Sequence, residues 1–104
     1  MSNQAWKQLE RRVAKFFGTV RTPLSGGNSR ITRSDSLHNK LFIEIKSRRK
    51  VPFLKQFRET IKQAKQENKL PVFVIHEANH KDDICFMRLA DTKKFVSIMS
   101  KQWR

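Results

Sequence analysis

From Gln4 to Phe17 the apolar residues Trp6, Leu9, Val13, Phe16 and Phe17 recur at helical spacing, and Gly18 supplies a stop, which predicts a first helix. Thr19 to Thr22 is short, β-prone and ended by Pro23, so a first strand is expected there, running into the loop Leu24-Ser25-Gly26-Gly27-Asn28-Ser29. Arg30 to Leu37 reads as a second strand of weak pattern. After the polar turn Leu37-His38-Asn39-Lys40, the third strand, Lys40 to Ser47, is apolar on both faces in its first half and is expected to be central. Pro52 suits the first turn of a second helix that reaches about Asn68, with Leu54, Phe57, Ile61 and Ala64 inward and Lys55, Arg58, Lys62 and Lys65 outward. The unbroken apolar run Pro71-Val72-Phe73-Val74-Ile75 predicts a buried strand reached by a helical crossover, and therefore parallel to the third. A polar loop from His76 to Asp83 leads to a fifth strand, Ile84 to Leu89. A last helix follows from Lys93 to about Ser100, capped by Asp91 or Thr92, with Phe95, Val96 and Met99 on its apolar side. The expected fold is a single α/β domain with a mixed sheet of about five strands, in the order helix, three-strand meander, helix, two strands, helix.

Composition changes this picture mainly through charge. The 104 residues include 23 Lys plus Arg against 9 Asp plus Glu, a formal net charge of +14 spread along the whole length. Such a surface attracts polyanions, nucleic acid foremost. A membrane surface is the competing polyanion, but it calls for a basic amphipathic helix with a free apolar face, and the helices here have a core to cover. Cys85 is the single cysteine, which excludes an intrachain disulfide and a cysteine zinc cluster and fits a reducing, intracellular setting. The polar start Met1-Ser2-Asn3-Gln4 resembles neither a signal peptide nor a membrane span.

Candidate chemistry centres on Leu41-Phe42-Ile43-Glu44-Ile45-Lys46. Side chains alternate along a strand, so Leu41, Ile43 and Ile45 share one face while Glu44 and Lys46 share the other. The short turn before this strand folds Asp35 back within reach of Glu44. Two carboxylates and a lysine on a strongly basic chain suggest a divalent-metal site for phosphodiester cleavage. Glu10 falls at the edge of the first helix's apolar stripe, and on helix geometry alone a boundary glutamate that bends to solvent or pairs with Lys7 or Lys15 accounts for it. The Gly26-Gly27 pair lets backbone approach a phosphate closely, with Ser25, Asn28 and Ser29 as small polar groups, although such a segment also serves as a plain connection. The basic run Lys46-Ser47-Arg48-Arg49-Lys50 is either a solvated charge run or a phosphate-contacting edge. His76 and His80 have zinc-ligand spacing but straddle a strand end and a loop, so they are read as surface residues. Ser25 lacks a His-Asp pair for acyl chemistry.

Taken together, Glu10, the segment Arg21-Thr22-Pro23-Leu24-Ser25-Gly26-Gly27, Asp35 and Glu44-Ile45-Lys46 resemble the PD-(D/E)XK nuclease superfamily, and within it the archaeal-type Holliday junction resolvases, which some viruses also carry. Two features depart from it: Ser34 stands where a proline often precedes the aspartate, and the turn from Asp35 to the third strand is short. The resemblance implies a restriction-endonuclease-like core and a Mg²⁺-dependent endodeoxyribonuclease, with Mn²⁺ as a substitute. It implies that Asp35, Glu44 and the Ile45 carbonyl hold the metal, with Glu10 reaching it directly or through water. Lys46 would orient the attacking water or balance developing charge, and Ser25 would lie near the scissile phosphate. Arg11, Arg21 and Arg30, with Gly26, Gly27, Arg48 and Arg49, are the expected DNA contacts. The implied substrate is a four-way junction, cut by a homodimer in paired symmetric nicks, and Met87, Phe95 and Met99 are the apolar residues a small core leaves for a dimer interface. A nuclease acting on flaps, ends or duplex DNA is the alternative within the superfamily, and a non-catalytic nucleic-acid-binding module the alternative outside it. Either way the chain is expected in the cytoplasm or nucleoid, or in the host cytoplasm if viral.

Overall fold

The computed structural model describes residues 3–23, 32–47, 53–77 and 79–103. Helix α1 (Asn3–Phe16) is followed by strand β1 (Leu41–Ser47), helix α2 (Phe53–Gln66), strands β2 (Leu70–His76) and β3 (Asp83–Phe86), a 3-10 turn (Leu89–Asp91) and helix α3 (Thr92–Ser100). The sheet has the order β1-β2-β3, with β1 and β2 parallel and β2 and β3 antiparallel. The parallel pairing is the one expected from the apolar run at Pro71–Ile75 and the helical crossover before it. Among the described residues no helix is long and apolar enough to cross a membrane.

Both faces of the sheet are covered. Leu41, Ile43 and Ile45 of β1 and Leu70, Val72 and Val74 of β2 pack against Leu9, Val13 and Phe17 of the α1 region and Met99 of α3. On the opposite face Phe73 and Ile75 meet Phe57, with Ile61 and Phe86 packed beside them. Helix α1 ends as Gly18 predicts. Gly18 takes φ 74°, its N–H bonds the Lys15 carbonyl, and the Thr19 N–H reaches back to the Ala14 carbonyl, a glycine cap that satisfies the last turn. Asn68, at φ 55°, ends α2 in the same way.

The described residues form three strands rather than five. The segments expected as the first two strands, 19–22 and the described part of 30–37, are joined by one isolated antiparallel bridge between Arg21 and Ser36. The Thr22 N–H donates to the Asp35 carbonyl and the Leu37 N–H to the Val20 carbonyl, so the chain follows the expected course without a regular ladder. Small polar side chains compete with backbone partners here. Thr22 Oγ1 donates to the Ser34 carbonyl, and Ser34 Oγ bonds both the N–H and the carbonyl of Ile43.

Three other expectations change. Leu54 is 68% exposed, and Phe53 beside it and Val96 of α3 are also exposed, so neither helix buries its whole apolar stripe. Met99 is fully buried, which removes it from a dimer surface, while Phe95 is half-buried against the core. Asp91 precedes α3 but makes no capping bond with its side chain, its carboxylate instead accepting a 2.7 Å hydrogen bond from Arg88.

Candidate active site

Strand β1 presents its two edges differently. One edge pairs with β2. Along the other, the Asp35 N–H donates to the Ile43 carbonyl, Ser34 Oγ takes the Ile43 N–H at 2.9 Å, and Asp35 Oδ2 takes the Ile45 N–H at 2.8 Å. Side chains thus stand in for a neighbouring strand. The N–H and carbonyl of one strand residue point to the same edge, so the Ile45 carbonyl faces the side that carries the Asp35 carboxylate. Glu44 and Lys46 project from the α2 side of the sheet, with Lys46 Nζ 3.3 Å from Glu44 Oε1.

Glu10 comes from the opposite face. It is neither bent to solvent nor paired with Lys7 or Lys15, as helix geometry alone suggested. Its side chain is 0% exposed, and Oε1 accepts a 2.8 Å hydrogen bond from Arg21 Nε while Oε2 has no partner among the described residues. Arg21, expected to contact DNA, therefore spends its Nε on a buried carboxylate. Its remaining surface lines a groove of about 490 Å³ with Arg11, Lys15, Thr19 and Val20. Arg11 is exposed there, as a DNA contact requires, and Lys15 is an addition the helical pattern assigned only to an outward position.

Asp35, Glu44, Glu10 and Lys46 share one electrostatic neighbourhood. Burial pushes the Asp35 carboxyl from its ordinary 3.8 up to about 8, with Glu44 and Glu10 adding to the rise and the Ile45 N–H and Lys46 opposing it. Glu44 is likewise raised by burial and by Glu10, against the ammonium of Lys46. Among the described residues, however, no three His, Cys, Asp or Glu side chains converge to hold a metal ion. Each carboxylate is turned to its own partner: Glu10 to Arg21, Asp35 to the Ile45 amide, Glu44 to Lys46. The donors nonetheless fit Mg²⁺ or Mn²⁺ in kind, as hard carboxylate and carbonyl oxygens, with Glu10 Oε2, which has no partner among the described residues, among them.

The raised Asp35 value has a measurable consequence with a definite sign. The folded chain binds this proton more tightly than the unfolded chain, so the associated stability is full below pH 3.8 and is lost as pH rises through about 8. Urea midpoints of the metal-free protein are expected to fall between pH 5 and 8.5, and Asp35→Asn to flatten that fall. A divalent cation competes with the proton, so Mg²⁺ is expected to raise the midpoint more at the higher pH. A flat profile in the parent chain would count against the clustering of these carboxylates.

The expected phosphate and DNA contacts Ser25, Gly26, Gly27, Arg30, Arg48 and Arg49 lie outside the described residues. His76 and His80 do not come together as ligands. His76 Nδ1 is 2.9 Å from Asp83 Oδ1 and His80 Nε2 is 2.7 Å from Glu77 Oε1. For two residues of the site the sequence did not show the role they take. Ser34 fixes the position of Asp35 against β1, and its only signal was its place beside the aspartate. Arg21 as the partner of Glu10 left no local signal, since the two are joined across separate elements. No protein-family model, curated protein or solved structure matches this chain.

Proposed function

We propose that this chain is a metal-dependent endodeoxyribonuclease that cuts branched DNA, with the four-way junction as its substrate. The observation that carries the reading is the gathering of Glu10, Asp35, Glu44 and Lys46, from three separate segments of a +14 chain, around one strand edge with Asp35 raised to about 8. Buried carboxylates crowded together are costly for a fold and useful for a cation site. Asp35, Glu44 and the Ile45 carbonyl would hold Mg²⁺, with Glu10 at the margin. A bound Mg²⁺ supplies Lewis acidity at the scissile phosphate. The ammonium of Lys46, 3.3 Å from Glu44, would offset charge developing on the phosphoryl oxygens. Arg11, Lys15 and Arg21 line a cationic groove suited to a phosphate backbone, and Arg21 also bonds Glu10.

The test is cleavage of a synthetic four-way junction with and without Mg²⁺. A chain this basic binds any DNA at low salt through counterion release, so affinity is read near physiological salt with competitor duplex present. Junction binding is expected to persist there, and Mg²⁺ to yield paired nicks at symmetric positions. Equal cutting of linear duplex would move the assignment to a general nuclease. Junction binding with no cleavage under Mg²⁺ or Mn²⁺ would move it to a binding module.

A further inference from the structure

The sheet has one unoccupied edge. Strand β3 pairs with β2 along one side, and among the described residues no strand lies along the other. Exposed strand edges are pairing templates unless something blunts them. The strand is only four residues long and opens on Asp83, which Arg12 and His76 engage, but it holds no proline and no lysine, and Ile84 at its middle is 57% exposed.

The charge of this region departs from the rest of the chain. Between residues 77 and 91 the acids Glu77, Asp82, Asp83 and Asp91 face only Lys81 and Arg88, in a protein whose net charge is +14. Two copies approach one another at least electrostatic cost through this surface. The order of residues is also self-complementary. Read against itself in the antiparallel direction about Cys85, the sequence Asp82-Asp83-Ile84-Cys85-Phe86-Met87-Arg88 sets Asp82 opposite Arg88 and Ile84 opposite Phe86. Opposed residues of an antiparallel pair share a face, and both opposite-charge and apolar pairs at such positions are favourable.

Local structure suits that register. Ile84 and Phe86 lie opposite Ile75 and Phe73 of β2, and so project on the α2 face. There an apolar groove of about 370 Å³ runs between β3 and the exposed first turn of α2, lined by Phe53, Leu54, Ile75, Ile84 and Phe86 together with Glu77. Arg88 keeps an extended backbone, φ −66° and ψ 141°, so the strand-like course continues to the charged end of the pattern. Asp82 is exposed and has no ion-pair partner among the described residues, while Arg88 holds Asp91 at the surface.

We propose that β3 pairs with the β3 of a second copy, antiparallel about Cys85, joining two three-stranded sheets into one of six strands. Two Asp82–Arg88 pairs and two Ile84–Phe86 pairs close the interface. The two β1 strands then stand on the outer edges, about 24 Å apart at ~4.8 Å per strand spacing. This gives the two-copy assembly of the nuclease reading an interface. Its readouts need no DNA, so failure of cleavage and failure of the interface are separate results.

Sedimentation of the full chain is expected to give twice the 12.3 kDa mass of one copy. Asp82→Arg and Arg88→Asp should each weaken the dimer about tenfold or more, and the double variant should recover most of the loss, because both pairs are restored in reversed sense. In the unsubstituted protein, copper phenanthroline should link the two Cys85 thiols, since directly opposed residues have Cα atoms ~4.5–5.5 Å apart, within disulfide reach. A monomeric chain overturns the proposal. So does a dimer that neither single charge swap weakens, or one in which Cys85 does not crosslink.

Discussion

Asp35→Asn is expected to abolish Mg²⁺-dependent cleavage, by about a thousandfold or more, while junction affinity stays within several-fold and the metal-free chain becomes no less stable at pH 8. The combination follows from the two tasks of this side chain. Its Oδ2 accepts the Ile45 N–H, and an asparagine carbonyl oxygen can do the same, so the attachment of the 32–37 segment to β1 survives. Its charge is opposed by burial and by Glu44 and Glu10, so removing it relieves the folded chain. A substitution that ends activity while easing the fold marks a group held against its own stability for chemistry. Lys46→Ala should likewise remove activity with little loss of binding, which many distributed charges carry. Persisting cleavage in Asp35→Asn, or binding lost in step with activity, would remove Asp35 from the site.

Arg21→Ala is expected to cost about 3–5 kcal/mol at neutral pH, a penalty typical of stranding a buried carboxylate. Glu10 is fully buried, its Oε1 accepts from Arg21, and its Oε2 has no partner among the described residues. Glu10→Gln should be mild for stability, because the amide oxygen still accepts the Arg21 N–H, yet it should lower the cleavage rate sharply. Combining Glu10→Gln with Arg21→Ala should recover much of the stability lost in Arg21→Ala, which a double-mutant cycle by urea denaturation measures. A cycle showing no coupling would mean the pair does not form in solution. An active but unstable Glu10→Gln variant would return Glu10 to a purely structural role.

Much of this site was legible because its centre is local. Period-two alternation in Leu41–Lys46 placed Glu44 and Lys46 on one face, and a four-residue polar turn was enough to bring Asp35 back beside them. Glu10 was only half legible. The helical wheel put it at the edge of the apolar stripe, but whether that edge meets water or the rim of a sheet depends on how far β1 extends beneath α1. Its pairing with Arg21 depends on the return of the 19–22 segment, which no local pattern encodes. The extra strands were expected because β-prone composition describes an extended chain, and an extended chain bonded through Ser34 and Asp35 side chains has the same composition. Leu54 and Val96 carried the same lesson for helices: a 3.6-residue period locates a stripe, while the width of the sheet decides how much of the stripe is covered.

The side-chain closure of β1 also bears on how many molecules can assemble. Ser34 and Asp35 occupy the backbone groups of Ile43 and the amide of Ile45 that an incoming strand would otherwise seize. The sheet therefore has one adhesive end and one sealed end. On the proposed pairing, growth through β3 would stop at two copies, because the β1 edge of each has much of its ladder already taken, and a basic domain with an exposed strand would be kept from running on into filaments. Replacing Ser34 with alanine would leave the Ile43 N–H without its side-chain acceptor while the Ile43 carbonyl keeps the Asp35 N–H, so a rise in slow, fibrillar aggregation is the cost this small polar residue holds off.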